Sequence, residues 1–218
     1  MIATKERVFV IDDDPSVRKG LTRLLRSASY ESEVFASAAD FLEREPYPGP
    51  ACVVVDVRMP GLNGLEFQEA LIKRRREEQL VFITGHGDVP MTVRAMKAGA
   101  VEFLTKPIDD EALLAAIRHA IERSIAAHAG QDEMRELRGR HASLTPRENE
   151  IMNLVVSGLL NKQVGYKLGI SEITVKAHRG KVMQKMEADS LADLVKMAVR
   201  LGLTPSENPW HLTRGSDG

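Results

Sequence analysis

The sequence is poor in cysteine and in aromatic residues. Its 218 residues include one cysteine, one tryptophan, three tyrosines and six phenylalanines. A lone cysteine excludes an intramolecular disulfide and matches a reducing compartment. Cys52 lies in the apolar run Ala51-Cys52-Val53-Val54-Val55 and is expected to be a buried strand residue rather than a redox thiol. No apolar stretch reaches the ~20 residues of a spanning helix. The segment Met1-Ile2-Ala3-Thr4-Lys5-Glu6-Arg7 lacks an apolar signal core. A cytoplasmic protein without a membrane partner is therefore expected. There is no Walker loop, no nucleotide-binding glycine fingerprint and no Cys/His cluster at zinc spacing. His86, His119, His128, His141 and His211 are scattered and have no evident catalytic partner.

Net charge is also scarce, at -1, but it is unevenly distributed. Residues 1–126 carry 17 basic and 20 acidic side chains, a balance of -3, whereas residues 143–203 carry 9 and 6, a balance of +3. An acidic front and a basic back point to two jobs, the second compatible with nucleic acid.

What the sequence does have is concentrated acid. Asp12-Asp13-Asp14 follow the apolar run Val8-Phe9-Val10-Ile11, and a second run, 51–55, ends in Asp56. Neighbouring carboxylates repel and raise one another's pKa. Two strands delivering such groups to one sheet edge suit a hard, oxygen-loving cation such as magnesium or manganese.

Strands are expected at 7–12, 31–35, 51–56, 79–84 and 101–104, and helices at 15–28, 37–44, 64–76, 88–98 and 109–125. This alternation predicts a doubly wound, five-stranded parallel sheet covered on both faces. Such sheets bind ligands at the carboxyl ends of their strands. Asp12, Asp13, Asp56 and Thr84 fall there, and Lys106 follows the fifth strand. Lys73-Arg74-Arg75-Arg76 reads as the solvated end of a helix. Residues 126–142 read as a helical linker with weak points at Gly130 and Gly139.

Residues 143–203 carry only helical signals. Thr145-Pro146-Arg147-Glu148 is a capping box with proline at the first helical position. Asn161 is expected to cap a second helix and Ser171 a third, and a fourth is stopped at Gly202. The tight link Leu168-Gly169-Ile170-Ser171 is a helix-turn-helix signature. An all-α, four-helix domain is expected, followed by a flexible tail at 204–218.

Ile11-Asp12-Asp13-Asp14, Asp56-Val57-Arg58-Met59-Pro60-Gly61, Thr84-Gly85-His86-Gly87-Asp88 and Lys106-Pro107 resemble a response-regulator receiver domain of flavodoxin-like fold, covering 1–125. The stretch 84–91 is similar to the FixJ-type subgroup. The resemblance implies that Asp56 accepts a phosphoryl group from a sensor histidine kinase. It places magnesium on Asp13 and Asp56, with Asp12 acting through water and the Arg58 carbonyl as a further ligand. Lys106 and Thr84 would contact phosphate oxygens, and Phe103 would turn inward as a switch. The helix bearing Val89, Pro90, Met91 and Lys97 would form a homodimer face on phosphorylation. Asp14 reads as a helix-starting bystander.

Leu144 to Leu203 resembles a LuxR/FixJ-type DNA-binding domain. At about 100° per residue, Val175, Val182 and Met186 form a core face, while Lys176, Ala177, Gly180, Lys181 and Gln184 face outward toward a major groove. The resemblance makes Lys176 and Ala177 candidates for base contacts. Asn161, Lys162, Thr174, His178, Arg179 and Lys185 are candidates for phosphate contacts. Gly165 stands where family members usually carry alanine, which should loosen its helix by roughly 0.5–1 kcal/mol. The expected function is a transcription factor, not an enzyme beyond its own phosphotransfer and slow dephosphorylation. Its partners would be promoter DNA and RNA polymerase. The alternative is a phosphate-sink protein whose C-terminal helices bind protein.

Overall fold

Short apolar runs between amphipathic segments produce a five-stranded parallel sheet. The structure, a computed structural model, describes residues 5–85 and 89–203. The tail expected at 204–218 and the start of the helix expected from 88 lie outside the described residues. The strands are β1 (Arg7–Ile11), β2 (Glu31–Phe35), β3 (Ala51–Asp56), β4 (Gln79–Thr84) and β5 (Glu102–Thr105), in the order β2-β1-β3-β4-β5. Between them run α1 (Pro15–Ser27), α2 (Ala38–Glu43), α3 (Gly64–Lys73) and α4 (Val89–Lys97). After β5 comes α5 (Asp110–Ala142).

Alternate strand residues build two cores. Phe9, Ile11, Val53, Val55 and Phe82 pack on one face with Phe41 of α2, Phe67 of α3 and Ala95 of α4. Val8, Val10, Cys52, Val54, Val81 and Ile83 pack on the other with Leu21 of α1 and Leu113 and Ile117 of α5. Every residue of β3 is buried, as a central parallel strand requires. Burial pushes the Cys52 thiol pKa far up, which keeps it in the unreactive protonated form.

The basic run at 73–76 is not simply solvated. Arg76, 4% exposed in its side chain, pairs with Glu78. The guanidiniums of Arg76 and Arg44 lie 4.7 and 4.6 Å from the Phe41 ring centroid. Arg74 donates to the Leu42 carbonyl at 2.7 Å. Phe41 and Leu42, remote in sequence, draw Arg76 and Arg74 onto the protein.

The chain divides into two compact units, 1–129 and 130–218. The division falls inside α5, which continues through Gly130 and Gly139 without a break. Leu137 is buried in the core of the second unit and Met134 packs against it, so apolar burial compensates for the poor helix propensity of the glycines. That second core is completed by α6 (Pro146–Val156), α7 (Asn161–Leu168), α8 (Glu172–Met186) and α9 (Leu191–Arg200).

Two local expectations change. Asn161 does not cap α7; it is the first helical residue, and its Oδ1 accepts from Arg179 at 3.2 Å. The free backbone N–H of Leu160 is satisfied instead by Gln163 Oε1 at 2.8 Å. Nor does Gly165 merely loosen α7. A Cβ there would stand 2.7 Å from the Ile170 carbonyl oxygen, so glycine lets the helix close on the turn before α8. Gly165→Ala is therefore expected to destabilise the second unit by about 1–3 kcal/mol, against the gain of up to about 1 kcal/mol that propensity alone would give. Urea unfolding combined with hydrogen exchange at α7 and α8 measures the sign.

Candidate phosphoacceptor and nucleic-acid sites

The acidic site is built at the carboxyl ends of β1 and β3. Asp12 directly follows β1 and is wholly buried, and Asp56 ends β3 and is 7% exposed. Asp13 is exposed. Carboxylate oxygens of Asp12, Asp13 and Asp56 lie within 4.8 Å of one another, a spacing that could hold a metal ion. Asp13 also lines a cleft of about 540 Å³ with Arg58, Met59, Pro60, Asn63 and Met91.

Lys106 neutralises this cluster. Its Nζ donates to Asp12 Oδ2 at 2.8 Å and to Asp56 Oδ2 at 2.6 Å. Burial works against the ammonium charge, but the bonds to the two aspartates outweigh it and hold the Lys106 pKa above its ordinary value. Burial dominates at Asp12, whose pKa is raised despite the hydrogen bonds from Lys106 and the Asp14 N–H. The position of Lys106 is fixed by its own N–H, which donates to the Thr84 carbonyl at the end of β4 at 2.7 Å. Thr84 is fully buried.

Backbone geometry sets the remaining parts. The Arg58 N–H donates to Asp56 Oδ1 at 3.0 Å. Asp14 is the N-cap of α1, accepting from the Ser16 N–H at 2.7 Å, and this bond lowers its pKa. Two residues escaped the sequence reading. Arg18 donates to the Asp12 and Asp13 carbonyls at 2.6 and 2.9 Å and so clamps the acidic loop. Gly64 opens α3 so close to β3 that a Cβ would lie 2.8 Å from the Asp56 carbonyl oxygen and 2.9 Å from Val57 Cα. Only the small size of Gly64 signalled its role.

The expected switch and dimer residues sit beside this edge. Phe103 of β5 is half-buried and tilted against Phe82, with ring centroids 6.0 Å apart. On α4, Val89, Pro90 and Lys97 are exposed, whereas Met91 packs against the core. Val93 and Met96, not singled out from the sequence, are also exposed and share a stripe with Val89.

In the second unit, α7 and α8 form the helix-turn-helix pair, joined through Gly169 in the left-handed conformation at φ 66°. Ser171 caps α8, accepting from the Thr174 N–H at 3.1 Å; the Thr174 hydroxyl lies 2.7 Å from that of Ser171. Val175, Val182 and Met186 are buried, while Lys176, Ala177, Gly180, Lys181 and Gln184 are all exposed. Lys162 is exposed, Asn161 and Arg179 pair with each other, and His178 is half-buried with its Nδ1 buried and unpartnered among the described residues.

Lys185 is occupied within the protein. Its Nζ donates to Glu148 Oε2 at 2.6 Å and to the Ser143 carbonyl at 3.0 Å. Together with the capping bond from the Thr145 N–H, this pair depresses the Glu148 pKa from 4.5 to about 2. A depressed carboxylate pKa contributes stability that is complete above the unfolded value and is lost as pH falls toward the folded one. Acid unfolding of the second unit is therefore expected to set in as pH drops below about 4.5 and to continue toward pH 2. Glu148→Gln should flatten that profile in a thermal-melt series.

The response regulator receiver domain family matches residues 8–118, and the luxR family of bacterial regulatory proteins matches residues 142–198. Nodulation protein W of Bradyrhizobium diazoefficiens is 48% identical over 93% of this chain and 89% of its own. The transcriptional regulatory protein FixJ of Azorhizobium caulinodans is 44% identical over 92% and 95%. This chain belongs to the response regulators. Among solved structures, the response regulator StyR aligns with TM-score 0.80 and 48% identity, covering 90% of this chain and 99% of the other. Full-length FixJ from B. japonicum aligns with TM-score 0.54 and 40% identity over 92% and 99%. This response regulator thus combines a receiver, which implies a sensor kinase partner, with a LuxR-type DNA-binding domain, and its relative FixJ is a transcriptional regulatory protein. Among the described residues, no helix is long and apolar enough to cross a membrane.

Proposed function

We propose that Asp56 is the phosphoacceptor of a phosphorylation-controlled DNA-binding switch. The observation that carries this reading is the cluster itself: Asp56, Asp12 and Asp13 at adjoining strand ends, with one ammonium bridging two of the three. In the receiver, Asp56 supplies the attacking oxygen. Asp13 and Asp56 are the residues that would hold magnesium, with Asp12 acting through water and the Arg58 carbonyl as a further donor. Three oxygen-bearing acids in one cluster fit a hard divalent cation. Such a cation, when bound, offsets charge on the acids and on phosphoryl oxygens. Lys106 presents a cation to a phosphate oxygen, and Thr84 a hydroxyl.

A phosphorylated Asp56 brings added negative charge and strong acceptors to the end of β3. Movement of Thr84 and Phe103 would pass the change to α4. Its exposed Val89, Val93 and Met96 then suit a homodimer face together with Pro90, Met91 and Lys97. The receiver is assigned to 1–125, with 126–142 as the joining helical segment and 143–203 as the output. Dimerisation would set two output units on half-sites about one helical turn apart. Lys176, Ala177, Gly180, Lys181 and Gln184 would face the bases. Lys162, Thr174, His178 and Arg179 would meet phosphates, and Lys185 only on leaving Glu148. RNA polymerase is the proposed downstream partner, and the cytoplasm the proposed compartment. Size-exclusion chromatography tests the switch: phosphorylated wild type is expected to elute as a dimer and Asp56→Asn as a monomer. Identical elution would remove the dimer step.

A further inference from the structure

The outward face of α8 has an apolar centre. Ile173, the second residue of the helix, is 82% exposed, although large aliphatic side chains are normally buried. At about 100° per residue, Ile173, Ala177, Gly180 and Gln184 fall in one arc of about 60°, opposite the buried Val175, Val182 and Met186. Lys176 and Lys181 flank that arc, one on each side, and both are exposed. The face therefore attracts a polyanion at its margins while presenting little to hydrogen-bond along its middle.

Gly180 sharpens the picture. It has no positive φ, and a Cβ there would meet nothing within 4 Å, so the fold does not demand glycine. With Ala177 it keeps the middle of the helix low and allows close approach to a flat partner. Beside Ile173 stands Glu172, also exposed, whose carboxylate is repelled by phosphate. Ile173, beside that carboxylate, is thus unsuited to the nucleic-acid backbone and suited to base edges, where the N-terminal residues of a recognition helix dock. On the major-groove edge the prominent apolar feature is the 5-methyl group of thymine.

We propose that Ile173 determines sequence specificity by packing on a thymine methyl group in each half-site. The proposal rests on the reading of α8 as the groove-entering helix. Its polar neighbours then supply affinity and register, while Ile173 discriminates thymine from cytosine at one position.

The test uses the full chain, phosphorylated by a small phosphodonor with magnesium, and a duplex selected from a random pool. Each thymine of that duplex is replaced in turn by deoxyuridine, which removes only the methyl group. Loss of one buried methyl is expected to weaken wild-type binding about fourfold to tenfold at one position per half-site. Ile173→Ala should bind the parent duplex weaker by a similar factor and be indifferent to that same replacement. Ile173→Val should fall between the two. Because the side chain is exposed, unchanged circular dichroism is expected for both variants. Equal responses of wild type and Ile173→Ala to every replacement would overturn the proposal. So would unaltered DNA binding by Ile173→Ala with reduced promoter transcription, which would make the side chain a protein contact. If no duplex is selected at all, the DNA-binding reading fails along with it.

Discussion

Asp56→Asn is expected to abolish phosphoryl incorporation from both a cognate kinase and a small phosphodonor. An amide presents no anionic oxygen to phosphorus, and neither Asp12 nor Asp14 is placed to substitute. Asp12 is fully buried and engaged by Lys106 and the Asp14 N–H, while Asp14 is committed to capping α1. Asp13 is the exposed neighbour, so residual labelling would point there. Phosphate-affinity electrophoresis of wild type, Asp56→Asn and Asp13→Asn separates the cases. The wild type should shift and Asp56→Asn should not. Asp13→Asn should shift only at raised magnesium, because it keeps the proposed acceptor and loses a proposed ligand. Full labelling of Asp56→Asn would remove Asp56 from the mechanism.

Lys106→Met carries the next largest effect. The ammonium lies within 2.8 Å of both Asp12 and Asp56, and its loss leaves two carboxylates facing each other at a poorly solvated sheet edge. Phosphorylation should slow by about 10²–10³-fold, the usual loss when one charge-stabilising donor is removed from a transferring group. Lys106→Arg should recover little of the rate, because a planar fork does not reproduce a compact point cation. Stability supplies an independent readout. Lys106 lowers the pKa that burial raises at Asp12, so without it the folded-state pKa of Asp12 rises further and Lys106→Met should be destabilised at neutral pH. The deficit should shrink as pH falls and Asp12 takes a proton. Thermal melts across pH check this; a deficit that does not depend on pH would mean that Lys106 acts through packing instead.

The legible parts of the fold were those set by local pattern. β3 and β4 span 51–56 and 79–84 as expected, because unbroken apolar runs in central parallel strands leave little ambiguity. The acidic site was equally readable, since each of its residues closes a strand or follows one. What the sequence concealed depends on contacts made across the chain. Gly130 and Gly139 looked like breaks in α5, but Leu137 finds a core whose other members come from 151 onward. Gly165 looked like a weak helix residue until the Ile170 carbonyl appeared beside it. Arg76 looked solvated, yet it stacks on Phe41, 35 residues away. Lys185 looked like a free cation, and its partner Glu148 is 37 residues upstream. Ile173 was hidden for a different reason: a search for polar contacts passes over an aliphatic side chain, and only its exposure makes it conspicuous.

The central claim is that chemistry at Asp56 governs DNA binding by α8. Equilibrium titration of the full chain against its selected duplex, with and without phosphodonor and magnesium, tests this most directly. Wild-type affinity should tighten by about 5- to 150-fold, the usual range for coupling between two sites. Affinity of Asp56→Asn should not change. In both states the binding should fall steeply with added salt, as phosphate contacts through Lys and Arg require. Equal affinity of wild type with and without phosphodonor, under conditions where Asp56 is shown to be phosphorylated, would contradict the account.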